Sequence, residues 1–401
     1  MLERVVVFGD PQGIQQVTKL ISREAIPAIV AAAIRPEQLS ALEEFARRCE
    51  VRLLVQPKHN SPQYPRFVDE VRTLDPDLIL VNSYSMRVGA ELLGLPRLGC
   101  VNVHGGLLPE YRGSNPIQWA LLNDERETGV TIHYMTEEFD RGDIIARQTV
   151  PICFEDTWLD IRARLERATE ALLEQELPKI LSGTNARLPQ DESRARYYRR
   201  RSAEDGRVEW HRAVRDLYNL IRALVKPHPG AFYDLHSQRV VLDGYLSIKE
   251  VTALKYGDVG RQLLRGADVM LRPTADLTSE ACSRRRSNES IEFSIRSCVT
   301  GEEWGCCEVS NIDFGRNTAE MRIRSGERMA GGTVCGVVVD LLIEFVANDL
   351  RLKHLTCWVE EDDWLLVESL SRGGFVRDKV SKTDRARRDS GTRVMFRLDK
   401  E

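Results

Sequence analysis

The stretch CVNVHGGLLPEYRGSNPIQWALLNDERETGVTIHYMTEEFDRGD, residues 100–143, decides how this chain is read. An apolar run from Leu98 to Val103 has the character of a buried strand, and it turns polar through Asn102, His104 and the pair Gly105-Gly106. A helix is expected from Pro116 to Asn123, and a second strand, Val130 to Met135, leads into an acidic loop that holds Asp140. One imidazole, one amide and one carboxylate thus fall at or just beyond strand ends, where α/β folds place their chemistry.

Working outward, strand-like runs at 4–9, 28–34, 51–55 and 78–81 alternate with helical segments at 14–22, 36–49, 65–74 and 87–92. That alternation predicts an α/β domain with a Rossmann-like, doubly wound, mostly parallel sheet. Gly9-Asp10-Pro11-Gln12-Gly13 follows the first strand but is not GxGxxG, so a tight strand-to-helix turn is expected there. Downstream, 157–182 reads as an amphipathic helix with Trp158, Ile161, Leu165, Ala168 and Leu172 on one face. A charged stretch at 189–201 precedes a helix at 211–226, which Lys226-Pro227-His228-Pro229-Gly230 stops, and then a hairpin at 231–248. The polar run SRRRSNES at 283–290 marks a linker or loop. Beyond it come strands at 291–297, 304–310 and 318–324, a helix at 332–349, a strand at 354–359, a helix at 363–371 and a strand near 375. The tail from Lys379 is charged and expected to fray. The domains are read as 1–190, 191–265 and 266–401.

Composition removes several function classes. With 42% hydrophobic and 29% charged residues over 401 positions, the chain has material for more than one core. Its 57 basic and 61 acidic side chains leave a net charge of −4, which gives no reason to expect a nucleic-acid or anionic-membrane partner. The nine cysteines form no CxxC pair and sit mostly in apolar runs, as buried thiols of a reducing compartment do. No apolar run reaches 18 residues and the N-terminus lacks a signal-peptide layout, so a cytoplasmic protein is expected. No metal site is read.

His104 has the side chain best suited to proton transfer near neutral pH. Asn102, two residues earlier on an extended segment, points to the same side, where its N–H can stabilise an oxyanion. Asp140, from a different strand end, can orient the imidazole and stabilise its cation. The plainer alternative has His104 bonding a turn and Asp140 capping a helix.

The ordered pair NVHGGLLPEYRGSNPIQWALLN and TGVTIHYMTEEFDRGDII closely resembles the signature of folate-dependent formyltransferases, the family of methionyl-tRNA, glycinamide ribonucleotide and sugar N-formyltransferases. The resemblance implies Asn102, His104 and Asp140 as the catalytic trio and N10-formyltetrahydrofolate as formyl donor. It implies a folate pocket from two loops, with Ser83, Tyr84, Met86 and Val88 in one and Glu137, Glu138 and Phe139 in the other.

The next segment, with EDGRVEW and IRALVKPHPGAF, is most similar to sugar N-formyltransferases. A tRNA enzyme should carry a basic C-terminal barrel, and this chain is mildly acidic, so a nucleotide-linked amino sugar, dTDP- or UDP-linked, is the expected acceptor. Arg112, Ser114, Tyr197, Tyr198, Arg199 and Trp210 are the candidate residues for its pyrophosphate and base. The role implied is in O-antigen or other surface polysaccharide synthesis, by a homodimer. Methionyl-tRNA or a siderophore amine are the alternative acceptors.

Residues 291–377 look like a GNAT-type N-acetyltransferase, a mixed α+β domain in which a loop opening a helix binds the CoA pyrophosphate. Arg328, Gly331, Gly332 and Thr333 occupy that loop, with Thr333 where the pattern has a smaller residue. Two readings stand: a bifunctional formyl/acetyltransferase using acetyl-CoA, or a degenerate domain serving dimerisation or sugar-nucleotide binding.

Overall fold

The computed structural model describes residues 3–32, 36–257, 264–266, 268–274, 290–325, 332–360, 363–377 and 393–400. The chain divides into two compact units, Met1–Ser202 and Ala203–Glu401. Among the described residues no helix is long and apolar enough to cross a membrane.

In the first unit strands and helices alternate: β1 (Val5–Gly9), α1 (Pro11–Thr18), β2 (Ala28–Ala32), α2 (Pro36–Cys49), β3 (Arg52–Gln56), α3 (Tyr64–Thr73), β4 (Leu78–Asn82), α4 (Ala90–Leu93) and β5 (Cys100–His104). There follow β6 (Arg112–Gly113), α5 (Pro116–Leu122), β7 (Glu127–Tyr134), β8 (Ile144–Pro151), α6 (Trp158–Leu181) and β9 (Tyr197–Tyr198). The main sheet has the order β3-β2-β1-β4-β5-β7-β8. Its first five strands are parallel, and β7 and β8 run antiparallel to their neighbours. Every residue of β1 and β4 is buried, as strands covered on both faces must be. Phe8, Val30, Phe67, Val71, Ile79 and Leu92 share one core cluster.

The turn after β1 is pressed against the end of β4. A Cβ on Gly9 would lie 2.5 Å from the Asn82 carbonyl oxygen, and one on Gly13 2.2 Å from it. Asp10 caps α1 by accepting from the Gly13 N–H at 2.8 Å, which leaves its own carboxylate at the helix N-terminus. The GDPQG segment is therefore the tight turn expected of it. Along α6, Trp158, Ile161, Leu165, Ala168 and Leu172 are all buried, and Asp160 closes a capping box by accepting from the Thr157 N–H at 2.9 Å.

The second unit opens with α7 (Val214–Ala223), the antiparallel hairpin β10 (Ala231–Leu235) and β11 (Gln238–Leu242), and α8 (Ile248–Tyr256). Then come β12 (Leu264–Arg265), β13 (Val269–Pro273), β14 (Ile291–Ser297), β15 (Glu303–Asp313), β16 (Thr318–Ser325), α9 (Gly332–Glu344), β17 (His354–Glu360), α10 (Trp364–Arg372), β18 (Val376–Arg377) and β19 (Arg393–Asp399). They build a sheet of order β12-β13-β14-β15-β16-β17-β19-β18, antiparallel except where β16 and β17 lie parallel. Cys307 is buried and Cys306 half-buried on β15, so packing accounts for this vicinal pair. Burial pushes the Cys357 thiol up to about 12.

One expectation is corrected. The charged tail does not fray throughout: Arg393–Asp399 pairs along its whole length with β17. Val394 and Phe396 are buried on one side of the strand, a period-two signal that the surrounding charges conceal. The GNAT-like loop residues Arg328 and Gly331 lie outside the described residues, whereas Gly332 and Thr333 open α9.

A buried carboxylate ties this unit together. Asp349, at the end of a π-helical turn (Phe345–Asp349), accepts from the Val214 N–H at 3.0 Å and so caps α7. It also bonds the Lys255 ammonium and the Tyr256 hydroxyl, and it pushes the Tyr256 phenol up along with burial. Because Lys255 is 7% exposed, removal of its partner strands a buried charge. We expect Asp349→Ala to destabilise this unit by about 3–5 kcal/mol. Chemical unfolding followed by near-ultraviolet dichroism checks it, and an unshifted midpoint would show that the carboxylate is not an anchor.

Candidate active site

Antiparallel pairing sets the site. In the register of β5 with β7, Asn102 lies opposite His133 and His104 opposite Thr131. Residues directly opposite one another project to the same face, so all four side chains emerge on one side. Asn102 Nδ2 is 3.1 Å from His133 Nε2, and His133 Nδ1 is 2.8 Å from the Tyr134 carbonyl oxygen. A carbonyl only accepts, so the His133 proton sits on Nδ1, and Nε2 accepts from the Asn102 amide. The same logic holds for His104. Its Nε2 lies 2.6 Å from the Tyr111 carbonyl oxygen and donates to it, which turns Nδ1 toward Asp140. The glycine turn permits this contact, since a Cβ on Gly106 would come within 3.0 Å of His104 Nε2 and 2.8 Å of Pro116 Cβ.

Asp140 comes from the loop between β7 and β8. Its φ is +55°, a left-handed conformation that non-glycine residues adopt at a cost. One carboxylate oxygen, Oδ1, is 3.6 Å from both His104 Nδ1 and His133 Nε2. The other, Oδ2, accepts from the Gly113 N–H at 2.8 Å. Burial alone would push this carboxyl up, but positive charge at His104, the His133 ring and the Gly113 N–H together hold it well below the usual carboxylate range. An amide, an imidazole and an ionised carboxylate therefore share one partly buried corner. Such a set can take a proton from a nucleophile, hold the resulting cation and donate a hydrogen bond to a carbonyl oxygen on which charge develops.

The two loops flanking this corner are braced. Ser83 has a φ of +56°, and its carbonyl accepts from the Asp10 N–H at 3.2 Å. Tyr84 donates its hydroxyl to Gln56 Oε1 at 2.9 Å, and Gln56 donates back to the Arg87 carbonyl at 2.9 Å. Arg87 Nη2 donates to the Glu137 carbonyl oxygen at 3.3 Å and joins one loop to the other. Val88 is buried and Met86 half-buried, while Glu137 and Glu138 are exposed and Phe139 is 61% exposed.

The candidate acceptor residues separate. Arg112 is wholly buried, and its guanidinium is engaged by Gln190, Glu192 and the Tyr197 hydroxyl. Ser114 donates its N–H to the Tyr198 carbonyl at 3.1 Å. The Tyr198 ring stacks on Tyr111 at 5.0 Å and 11°, with Trp119 at 5.1 Å, whereas Tyr197 is 56% exposed. Arg199 is exposed, and its carbonyl accepts from Trp119 Nε1. Trp210 belongs to the second unit, where it meets Tyr233 edge-to-face at 5.3 Å. The sequence reading does not single out His133, Gln190, Glu192 or Arg87. For His133 a signal exists, because Thr131 and His133 alternate on the strand that leads to Asp140. For the other three none does.

Comparison with known proteins places this geometry. In solved structures the fold is similar to a sugar N-formyltransferase from Shewanella sp., at 21% identity and a TM-score of 0.52, over 62% of this chain and 98% of that one. A 4-N formyltransferase from Francisella tularensis is similar at 18% identity and a TM-score of 0.51, over 61% of this chain and 98% of that one. Residues 3–177 match the formyl transferase family, and 200–263 match the formyl transferase C-terminal domain. By those two matches the chain carries a formyl transferase domain over 3–177 and a formyl transferase C-terminal domain over 200–263.

Proposed function

We propose that the chain moves a formyl group from N10-formyltetrahydrofolate to the amino group of a nucleotide-linked amino sugar. The observation that carries this reading is the convergence of Asn102, His104 and Asp140 on one partly buried corner, with 3.6 Å between His104 Nδ1 and Asp140 Oδ1. The donor supplies a formyl carbon on a nitrogen leaving group. The two loops at 83–88 and 137–140 are the ones the family resemblance gives to the donor, and Arg87 joins them. His104 Nδ1 accepts the proton of the attacking amine, and that proton arrives facing Asp140. Asn102 donates to the formyl oxygen as charge develops there, with its amide oriented by His133. The proton then passes to the departing nitrogen, so formamide and tetrahydrofolate result and the residues return to their starting state.

A sugar acceptor is supported by the activities of the proteins with similar folds, and by the net charge of −4, which disfavours a tRNA. Tyr197 and Arg199, both exposed, stand as candidates for its base and pyrophosphate. Arg112 does not, because its donors are spent inside the protein.

We also propose that the second unit carries a GNAT-like domain. Support comes from β16 and β17, which pair in parallel only over Thr318–Met321 and His354–Cys357, with α9 as their crossover and β19 inserted between β17 and β18. Residues 322–325 have no partner in β17, so the two strands part at their C-terminal ends, where α9 begins.

Three measurements bear on these readings. Turnover of a panel of dTDP- and UDP-linked amino sugars with formyl donor should show one preferred acceptor. On that acceptor His104→Ala and Asn102→Ala should each lose at least about 100-fold, with dichroism unchanged; wild-type turnover in either would refute the roles. Asp140 has a depressed carboxyl, so its stabilisation is full above the unfolded value of about 3.9 and fades as pH falls below it. The stability gap between wild type and Asp140→Asn should accordingly be wider at neutral pH than near pH ~3 in urea unfolding. A constant gap would contradict the depression. Titration of the full chain with acetyl-CoA should give micromolar binding if the second unit is a working transferase, and an absence of heat would leave it degenerate.

A further inference from the structure

Arg112 and Gln190 form a closed hydrogen-bond circuit whose output is the backbone of Asp140. All five guanidinium N–H groups are used. Nε and Nη2 donate to Gln190 Oε1 at 3.0 and 2.8 Å, Nη1 and Nη2 donate to the two oxygens of Glu192 at 3.1 and 2.8 Å, and Nη1 also donates to the Tyr197 hydroxyl at 2.9 Å. A guanidinium has no acceptor, so only the carbonyl end of the Gln190 side chain can face it. The NH₂ end is thereby forced the other way. There it donates to the Asp140 carbonyl at 2.9 Å and to the Gly142 carbonyl at 2.7 Å, which uses both of its hydrogens.

The same segment grips Asp140 a second time. Arg112 and Gly113 form β6, which pairs in parallel with Tyr197–Tyr198 of β9, and the Gly113 N–H holds Asp140 Oδ2. Gly113 has a φ of +97°, and a Cβ there would lie 2.3 Å from the Tyr198 carbonyl oxygen, so the strap fits no side chain at that point. Asp140 is in a left-handed conformation, with its carboxylate in contact with two histidines. A conformation of that kind persists only where the surroundings over-determine it.

We propose that Gln190, oriented by Arg112, is the positioning residue that fixes the Asp140 loop and so sets the distance between the Asp140 carboxylate and His104. It touches neither substrate nor the reacting atoms, and it acts only through residue 140. The inference rests on the reading of Asp140 as part of the catalytic group.

The test uses the full chain, two substitutions at Gln190 and one at Asp140. Gln190→Met keeps the length of the side chain and removes every hydrogen bond. Gln190→Glu keeps the pairing with Arg112 and loses the two donors to the loop, which guards against a trivial loss of folding. In both we expect kcat to fall about 10- to 100-fold, the scale for a misplaced catalytic group, with donor KM unchanged and the dichroism spectrum still that of the folded chain. In the Asp140→Asn background, Gln190→Met should cost nothing further, since its effect passes through that carboxylate. Wild-type kcat in Gln190→Glu, or losses that multiply in the double variant, would overturn the proposal. A fully active Asp140→Asn would instead remove the catalytic reading of Asp140, and the positioning role with it.

Discussion

The register between β5 and β7 is the constraint from which the candidate site descends. A side-chain period of two means that a slip of one residue would send Asn102 and His104 to the opposite face of the sheet. The register is held by burial. Val101, Val103, Ile132 and Tyr134 all lie in the core on the other face, and none can be exchanged for the polar set without leaving polar groups unpaired among apolar ones. The placement of catalytic-type side chains is thus a by-product of hydrophobic packing one residue away from each of them.

Position alone would not make the corner chemically useful. Three of its groups are polar and largely removed from water, which is costly unless each is paired. Carbonyl oxygens at Tyr111 and Tyr134 fix the two imidazole tautomers, and the Gly113 N–H donates to one oxygen of Asp140. The low dielectric that raises the cost of an unpaired group also strengthens each paired one. The carboxylate consequently stays ionised where burial alone would neutralise it, and it is available to stabilise a proton taken up at His104.

What the sequence discloses follows from how local each cause is. β1 and β4 are legible because strands buried on both faces need uninterrupted apolar residues, and α6 because its buried face repeats at the helical period. Asn102, His104 and Asp140 are legible because they stand at the ends of such runs. β19 is not, since Val394 and Phe396 are set among charges that dominate any windowed average. The extent of the first unit is blurred for a related reason. Residues 191–202 read as a charged stretch opening the next domain, yet they are bound to the first unit by backbone pairing with Arg112 and Gly113, and backbone hydrogen bonds leave no trace in residue type.

Arg112 shows where this limit becomes functional. An arginine in a charged context near a catalytic stretch reads naturally as a phosphate ligand, because its planar fork suits a bidentate oxyanion. The same fork suits a carboxylate and an amide carbonyl equally well, and the protein presents both, from Glu192 and Gln190, some 80 residues further on. Which partner wins depends on whether the guanidinium is covered, and burial of residue 112 is decided by the strap that folds over it. Once covered, the charge cannot be given to a ligand without stranding Glu192 and releasing the amide that holds residues 140 and 142. An arginine with every donor spent is a structural commitment, and here its partner Gln190 holds the backbone of the residue whose carboxylate stands beside His104.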